Sequence, residues 1–474
     1  MRRHAAGAAA QLSVTARLNS CDIPSAGHKA GANAGRRGKR ERIAGERMGD
    51  ERLFLKCAWR LIPFLTLLYV VNFLDRVNVG FAALTMNKDL GFSPSAFGFG
   101  AGIFFFGYAA FQVPANAVLE RVGARRWIFC ILAAWGAISS CNAWVQSAGG
   151  FYVLRFLLGA AEAGFVPGIF FYLTLWFPPA YRARFIASFM AAAPLSTIIG
   201  GPLSGAVLGM DGVLGLHGWQ WLFLIEGLPA CVLAFATLKL LPDGPASAAW
   251  LSDDEKNAIG RHLAAENTIE HSNLWRALRD PRVIALGLVN FGVLAGANGV
   301  ALWLPQIVQQ MGFTNLVTGF IVAMPSIAST VVMILWGRSS DARGERVWHV
   351  AIPALIAAFS FIAGSITQNE VLMLAALALT QIMLWSAIAP MIAMPSSFLG
   401  GSAAAGGIAL VVSIGQLGAF AGSTIIGVLK ERTGDYAASM ALIGIVLAIS
   451  AVIVLALGRS MAPRQPAVRP SRVT

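Results

Sequence analysis

From residue 57 onward the chain alternates long apolar runs with short charged punctuation. Twelve such runs stand out, at roughly 57–82, 94–118, 126–146, 150–177, 184–209, 219–241, 281–311, 315–337, 347–366, 371–395, 402–429 and 437–458. An apolar run of about 18 or more residues can cross a bilayer as a helix. In lipid a helix satisfies all its backbone polar groups internally. The pattern therefore predicts an all-α polytopic membrane protein with twelve transmembrane helices, six on either side of a longer polar link. The boundaries follow as an N-terminal six-helix bundle at 48–241, a cytoplasmic linker at 242–280, a C-terminal six-helix bundle at 281–460 and a cytoplasmic tail at 461–474. In the linker, "LSDDEK" places Ser252 and Glu255 as a capping box for a short surface helix.

Residues 1–47 are Ala-, Gly- and Arg-rich, with no apolar run and no periodicity, and read as a disordered basic tail. "AAGAAA" is too weak for the apolar core of a signal peptide. The first twenty residues contain Arg and no acid, which fits a transit peptide as well. Met48 opens "MGDERLFLKCAWRLIPFL", a short polar lead-in to the first span, and is read as the native start.

Charge in the short loops sets the orientation, because cytoplasmic loops are enriched in Lys and Arg. With the N-terminus inside, the inner loops carry Arg121, Arg125, Arg126, Arg182, Arg184, Arg338, Arg343 and Arg346. The outer ones carry Lys88, Lys430 and Arg432. Both termini are therefore expected in the cytoplasm. The two halves also echo each other. "NAVLERVGARRW" follows the second span and "GRSSDARGERVW" follows the eighth, with Glu120/Asp341, Gly123/Gly344, Arg125/Arg346 and Trp127/Trp348 in register. A matched loop at the same place in each half indicates internal duplication, and duplicated helical halves around a central path are a transporter plan.

Composition supports the class. The chain is 57% hydrophobic and 12% charged, with mean hydropathy +0.66, where a soluble domain is about one quarter charged. Of the net +13, residues 1–50 hold +6, from ten Lys/Arg and four acids. The rest lies at loop edges, so no basic face remains for a nucleic acid. The five cysteines form no CxxC pattern. No disulfide, metal site or cofactor is expected.

Against this apolar background the buried charges stand out. "VVNFLDRVNVG" puts Asp75 and Arg76 inside the first span. The fourth span, "YVLRFLLGAAEAGFVPGIFFYL", carries Arg155 and Glu162 seven residues apart. Seven residues are nearly two turns, so the pair shares one face about 10 Å apart along the axis. Gly159, Gly164 and Gly168 allow close helix contact. Ionisable residues in a span are costly and mark transport pathways. Two structural salt bridges, Asp75 with Arg155 or Arg76 with Glu162, are the plainer alternative. Arg stays charged and grips carboxylates bidentately, whereas a carboxylate in a dry site can load and release a proton. Arginines for an anion and acids for a proton together read as anion–proton symport.

The other half is sparser in polar groups: Asn290, Asn298, Gln381, Ser386, Ser413 and Gln416, with Trp303 and Trp385. Each lone amide also fits an interhelical hydrogen bond. Together they fit hydroxyl-rich substrate groups on that side, with Trp385 and Gln416 as substrate-binding candidates and Tyr108 in the second span as a further one. Glu226, in "WQWLFLIEGLPA", lies near the outer end of the sixth span, with no sequence feature to separate a structural role from a place on the path. The repeated loops suit an ion-pair latch at the cytoplasmic gate, formed by Glu120, Arg121, Gly123, Arg125, Asp341, Gly344 and Arg346; plain positive-inside charge is the alternative.

Taken together, "YVVNFLDRVNVGFA", "PANAVLERVGARRW", "RFLLGAAEAGFVPG", "WQWLFLIEGLPA", "LWLPQIV" and "GRSSDARGERVWH" resemble the major facilitator superfamily over about 50–460. Within it they resemble the anion–cation symporter family of bacterial hexonate, tartrate and phthalate permeases and eukaryotic vesicular carriers. The resemblance implies that Asp75 and Glu162 couple protons, that Arg76 and Arg155 face the substrate carboxylate, and that Tyr108 falls in the substrate cavity. "GGIALVVSIGQLGAF" departs from the family, which often has Asn at the positions of Val412 and Gln416 and Gly at that of Ala419. The identity of the substrate is therefore not carried over.

The expected protein is a monomeric, multi-pass carrier of the bacterial inner membrane. It would take up a small organic anion with protons, a sugar acid, tartrate-like hydroxy acid or aromatic carboxylate, by alternating access. An exporter or anion exchanger of the same architecture is the rival within the class. A membrane enzyme lacks a catalytic constellation, because the six His residues lie in polar segments, an outer loop or beside the latch. A channel gives no reason for the matched loops.

Overall fold

A computed structural model describes residues 26–190, 192–264, 279–399 and 401–461. The regular elements among them are all helices. The first half contains α1 (Ala26–Asp89), α2 (Pro94–Val122), α3 (Ala124–Cys141), α4 (Ala148–Glu162), α5 (Phe165–Thr174), α6 (Pro179–Met190), α7 (Ala192–Val207) and α8 (Gly218–Leu240). After the linker helix α9 (Asp253–Ala264), the second half contains α10 (Pro281–Gln310), α11 (Asn315–Arg343), α12 (Val347–Ile366), α13 (Glu370–Ala393), α14 (Gly401–Thr433) and α15 (Ala437–Met461). Eleven segments are long and apolar enough to span a membrane, and Leu195–Met210 is a shorter apolar helix. The twelve expected runs are thus accounted for.

Two expectations are corrected. The stretch 26–47 is helical rather than disordered, because it opens α1. Ala, Arg, Lys and Glu are strong helix formers, and the proline inside this helix, Pro63, comes only later. Residues 1–25 and 462–474 lie outside the described residues. The fourth run is two helices, broken just past Glu162. Pro167 has no N–H to return to the carbonyl four residues back, and Gly164 sits at φ −93°, ψ 1°. The linker behaves as its capping box predicts: Ser252 N donates to Glu255 Oε2 (2.9 Å) and Glu255 N to Ser252 Oγ (3.3 Å) at the start of α9.

Two compact units divide at Cys57/Ala58. The site lies wholly in the larger unit, Ala58–Thr474. Within it the halves meet along seams at one end, the end that carries loops 90–93 and 434–436. Gly201 of α7 and Gly319 of α11 face each other so closely that a Cβ on either would overlap the other's carbonyl oxygen. A Cβ on Gly98 of α2 would lie 2.7 Å from Ser423 O of α14. Small residues let helix backbones close this far in a membrane. At the same end Glu431 of α14 accepts the Ser95 N–H (2.9 Å). A carboxylate at a helix N-terminus is favourably placed, here across the two halves.

Candidate functional site

Four helices of the first half bring the charged residues together. A Cβ on Gly159 would overlap Phe104 O, so the absence of a side chain there seats α4 directly on α2. That contact carries Arg155 and Glu162 toward Phe104 and Tyr108. Asp75, Arg155 and Glu162 are buried, and the Arg76 side chain is 17% exposed.

Arg76 pairs with Glu162: Nε donates to Oε2 across 2.8 Å. The same oxygen accepts Asn72 Nδ2 at 2.8 Å. The pair leaves Glu162 Oε1 and Arg76 Nη2 without hydrogen-bond partners. The Arg76 guanidinium lies over the rings of Tyr108 (4.9 Å to centroid) and Phe104 (5.6 Å). Arg155 Cζ lies over the same Phe104 ring at 4.9 Å. Its Nε and Nη1 have no hydrogen-bond partner. A buried cation that keeps unmade hydrogen bonds is expensive.

Asp75 is held differently. Its carboxylate accepts Trp135 Nε1 (2.9 Å), Asn78 Nδ2 (3.1 Å) and the Ser139 hydroxyl. Of the two salt bridges open from the sequence, Arg76–Glu162 forms, and Asp75 is satisfied by neutral donors instead. Asn72, Asn78, Trp135, Ser139 and Phe104 were not singled out from the sequence. Their signal was available: Asn72 and Asn78 are polar residues in the apolar first span, and Trp135 and Ser139 are one turn apart on α3.

Tyr108 joins the cluster. Trp385 approaches it from the second half, with its ring 6.1 Å from that of Phe73, and it lines a crevice with Thr197 and Ser326. Ser413 donates to Gln112 Oε1 of α2 (2.9 Å), a polar link between the halves. Gln416 lies one turn further along α14, half-buried.

Each matched loop has a positive-φ glycine at the helix end, but ψ is 150° at Gly123 and 19° at Gly344, and the pairing differs too. Gly123 ends α2 at φ +84° and Gly344 ends α11 at φ +61°, a conformation natural to glycine. Arg346 pairs with Asp341 of its own loop (2.6 Å). Arg125 reaches past the loop to Asp243 (3.0 Å) and to Leu238 O. Glu120 and Arg121 are exposed. Beside this loop, burial pushes the Glu345 carboxyl up, but the N–H groups of Trp348 and His349 and the His349 ring outweigh it and hold Glu345 below the usual range. Among the described residues no group of three or more His, Cys, Asp or Glu side chains is placed to hold a metal.

Long apolar helices in two halves, with fixed charges buried among them, define a multi-pass membrane protein. The chain belongs to the Major Facilitator Superfamily, whose model matches residues 65–423. It is a transporter and not an enzyme. A protein of Agrobacterium vitis provisionally named a tartrate transporter is 48% identical over 417 residues, covering 87% of this chain and 92% of its own length. A quinolone resistance transporter of Acinetobacter baumannii is 42% identical, covering 82% of this chain and 91% of its own. The fold is shared with the crystal structure of a bacterial homologue of the human lysosomal transporter Spinster, at TM-score 0.71 and 16% identity over 85% of this chain and 97% of that one.

Proposed function

We propose that this protein takes up a small organic anion together with protons, across the bacterial inner membrane, by alternating access. The observation that carries the reading is the Arg76–Glu162 pair with Arg155 beside it. Glu162 Oε1 is free to take a proton, and Arg76 Nη2 and Arg155 Nε and Nη1 are free to donate to an anion. A proton on Glu162 removes the charge that holds Arg76. Arg76 then turns its donors to the substrate carboxylate, next to Arg155. Proton and anion thereby enter a dry site together, each removing a cost of the other. Asp75, held by three donors, is the second coupling acid. Tyr108 and Trp385 flank the bound anion, and Gln112, Ser413 and Gln416 offer polar contacts to its hydroxyl groups.

The substrate class rests on the two arginines and on the name of the Agrobacterium relative. Tartrate-like hydroxy acids lead, followed by sugar acids and aromatic carboxylates. The positive-inside pattern puts both termini in the cytoplasm, and the glycine seams then lie at the outer end. A carrier sealed there is in the half of its cycle that faces inward. Arg346–Asp341 and Arg125–Asp243 would tether the helix ends at the cytoplasmic gate. The name of the Acinetobacter relative favours export as a second reading, since the same site serves either direction.

Thermal stabilisation of the purified chain by a panel of organic acids, at acidic and at neutral pH, tests the reading. A ligand that binds only the folded state raises the melting temperature by mass action. A carboxylate that stabilises more at acidic pH, and not in Arg155→Ala, supports it. Stabilisation by neutral or cationic compounds alone overturns it.

A further inference from the structure

Glu226 has no role in the scheme above, yet its surroundings are those of a working acid. It lies on α8 with its side chain buried. Oε1 accepts the Ser204 hydroxyl of α7 at 3.0 Å, and Oε2 has no hydrogen-bond partner. Among the described residues no Lys, Arg or His pairs with it. From α3, Ser140 packs on the neighbouring Gly227. Ser139, the residue before Ser140, donates its hydroxyl to the Asp75 carboxylate of α1, whose Oδ1 also accepts Asn78 Nδ2. Asp75 is the charged group of that network.

The α3 serines thus touch Asp75 on one side and pack beside Glu226 on the other. Glu226 Oε2 stays an orphaned buried acceptor, which is costly. A proton on Glu226 removes a buried charge that no Lys, Arg or His among the described residues compensates. Depth gives the acids an order. Glu226 lies 8 residues into α8 from Gly218, and Asp75 lies 14 residues from Asp89 at the end of α1. At a rise of about 1.5 Å per residue they sit about 12 and 21 Å from the closed end.

We propose that Glu226 is a third proton-carrying acid of this carrier, holding a proton between the closed end and Asp75 and passing it to Asp75. This rests on the proton-coupled reading of the site. The step moves one proton: Glu226 loses it from a carboxyl oxygen and becomes the carboxylate, and Asp75 gains it and becomes the neutral acid. Ser204, a positioning residue, holds the Glu226 carboxyl by donating its hydroxyl to Oε1. Water reprotonates Glu226 when that end opens. Two interacting carboxylates of this kind titrate as a pair.

Two measurements on the full-length protein test this. Infrared pH titration of the purified wild type and of Glu226→Gln reads the proton directly, whether or not the carrier accumulates substrate. A buried carboxylic-acid band that is absent from Glu226→Gln and shifted in Ser204→Ala is expected. Identical carboxylic-acid bands in wild type and Glu226→Gln overturn the proposal. In proteoliposomes, Glu226→Gln should lose at least about tenfold of gradient-driven uptake while exchange between equal internal and external substrate stays within about twofold. Glu226→Asp should recover uptake with a displaced pH profile. Undiminished accumulation by Glu226→Gln, or equal loss of uptake and exchange in a variant that stays folded, overturns it. A wild type that ignores the proton gradient removes the coupled reading instead, and the infrared result still decides whether Glu226 holds a proton.

Discussion

Arg76 Nε and Glu162 Oε2 lie 2.8 Å apart, a cation on α1 tied to an acid on α4 in a buried site. Breaking a buried pair by removing one partner strands the other and costs about 3–5 kcal/mol. Arg76→Ala should therefore lower the melting temperature of the detergent-solubilised protein. The double variant Arg76→Ala/Glu162→Gln should recover most of the loss, because no lone charge remains. Additive losses in the double variant would mean that the two side chains do not depend on each other.

Arg155 is the converse case, a buried cation with two unmade donors. Its removal should cost the folded protein little and the bound anion much. Arg155→Ala should weaken organic-anion binding by at least about tenfold, about 1.4 kcal/mol. Its unliganded melting temperature should stay near that of the wild type. Arg155→Lys should recover only part of the affinity, since a compact ammonium lacks the planar fork that matches a carboxylate. Calorimetric titration of each variant reads both effects.

The glycine seams predict a conformational phenotype. Any Cβ at Gly319 overlaps Gly201 O, and one at Gly98 meets the α14 backbone. Gly98→Val and Gly319→Val should fold, lose transport and leave the sealed end open. Thr424, whose hydroxyl is buried in this seam, reports it. Thr424→Cys should react with a membrane-impermeant thiol reagent several-fold faster in the Gly98→Val background. Unchanged labelling would show that the seam does not seal.

Much of this was legible in the sequence, for reasons that also mark its limits. Apolar runs fix which segments cross the membrane, because the bilayer sets their length. Buried charges are visible because they interrupt those runs. Sequence gives the depth of Asp75, Arg76, Arg155 and Glu162 but not the rotation of α1 against α4, so which of the two bridges, Asp75–Arg155 or Arg76–Glu162, forms needed three dimensions. The break after Glu162 was written in "EAGFVPG", where Gly and Pro fall within five residues, but hydropathy alone does not register it. The repeat places a glycine at the same point of each loop; both have positive φ, but ψ is 150° at Gly123 and 19° at Gly344. It also suggested equal pairing at Arg125 and Arg346, which differs, because the end of α8 brings Asp243 to Arg125 and leaves Glu120 in solvent.

At the matched loop, Glu345 accepts the N–H groups of Trp348 (2.8 Å) and His349 (3.2 Å), capping α12. Losing such a cap costs about 1 kcal/mol. The carboxyl is held below its ordinary value, so it binds protons less readily folded than unfolded. Its contribution is present above the unfolded value and disappears as pH falls through the folded one. Glu345→Gln should therefore melt earlier than wild type at neutral pH, with the difference shrinking toward acidic pH. A difference that does not depend on pH would assign the effect to the hydrogen bonds alone.

The central claim is that Glu162 couples proton to anion by releasing Arg76. Its most direct measurement is substrate accumulation in proteoliposomes under an imposed proton gradient, in the wild type and in Glu162→Gln, beside exchange with equal substrate on both sides. Glu162→Gln should no longer accumulate substrate and should still exchange it. Gradient-driven accumulation by Glu162→Gln at the wild-type level would contradict the account and leave the Arg76–Glu162 pair a structural one.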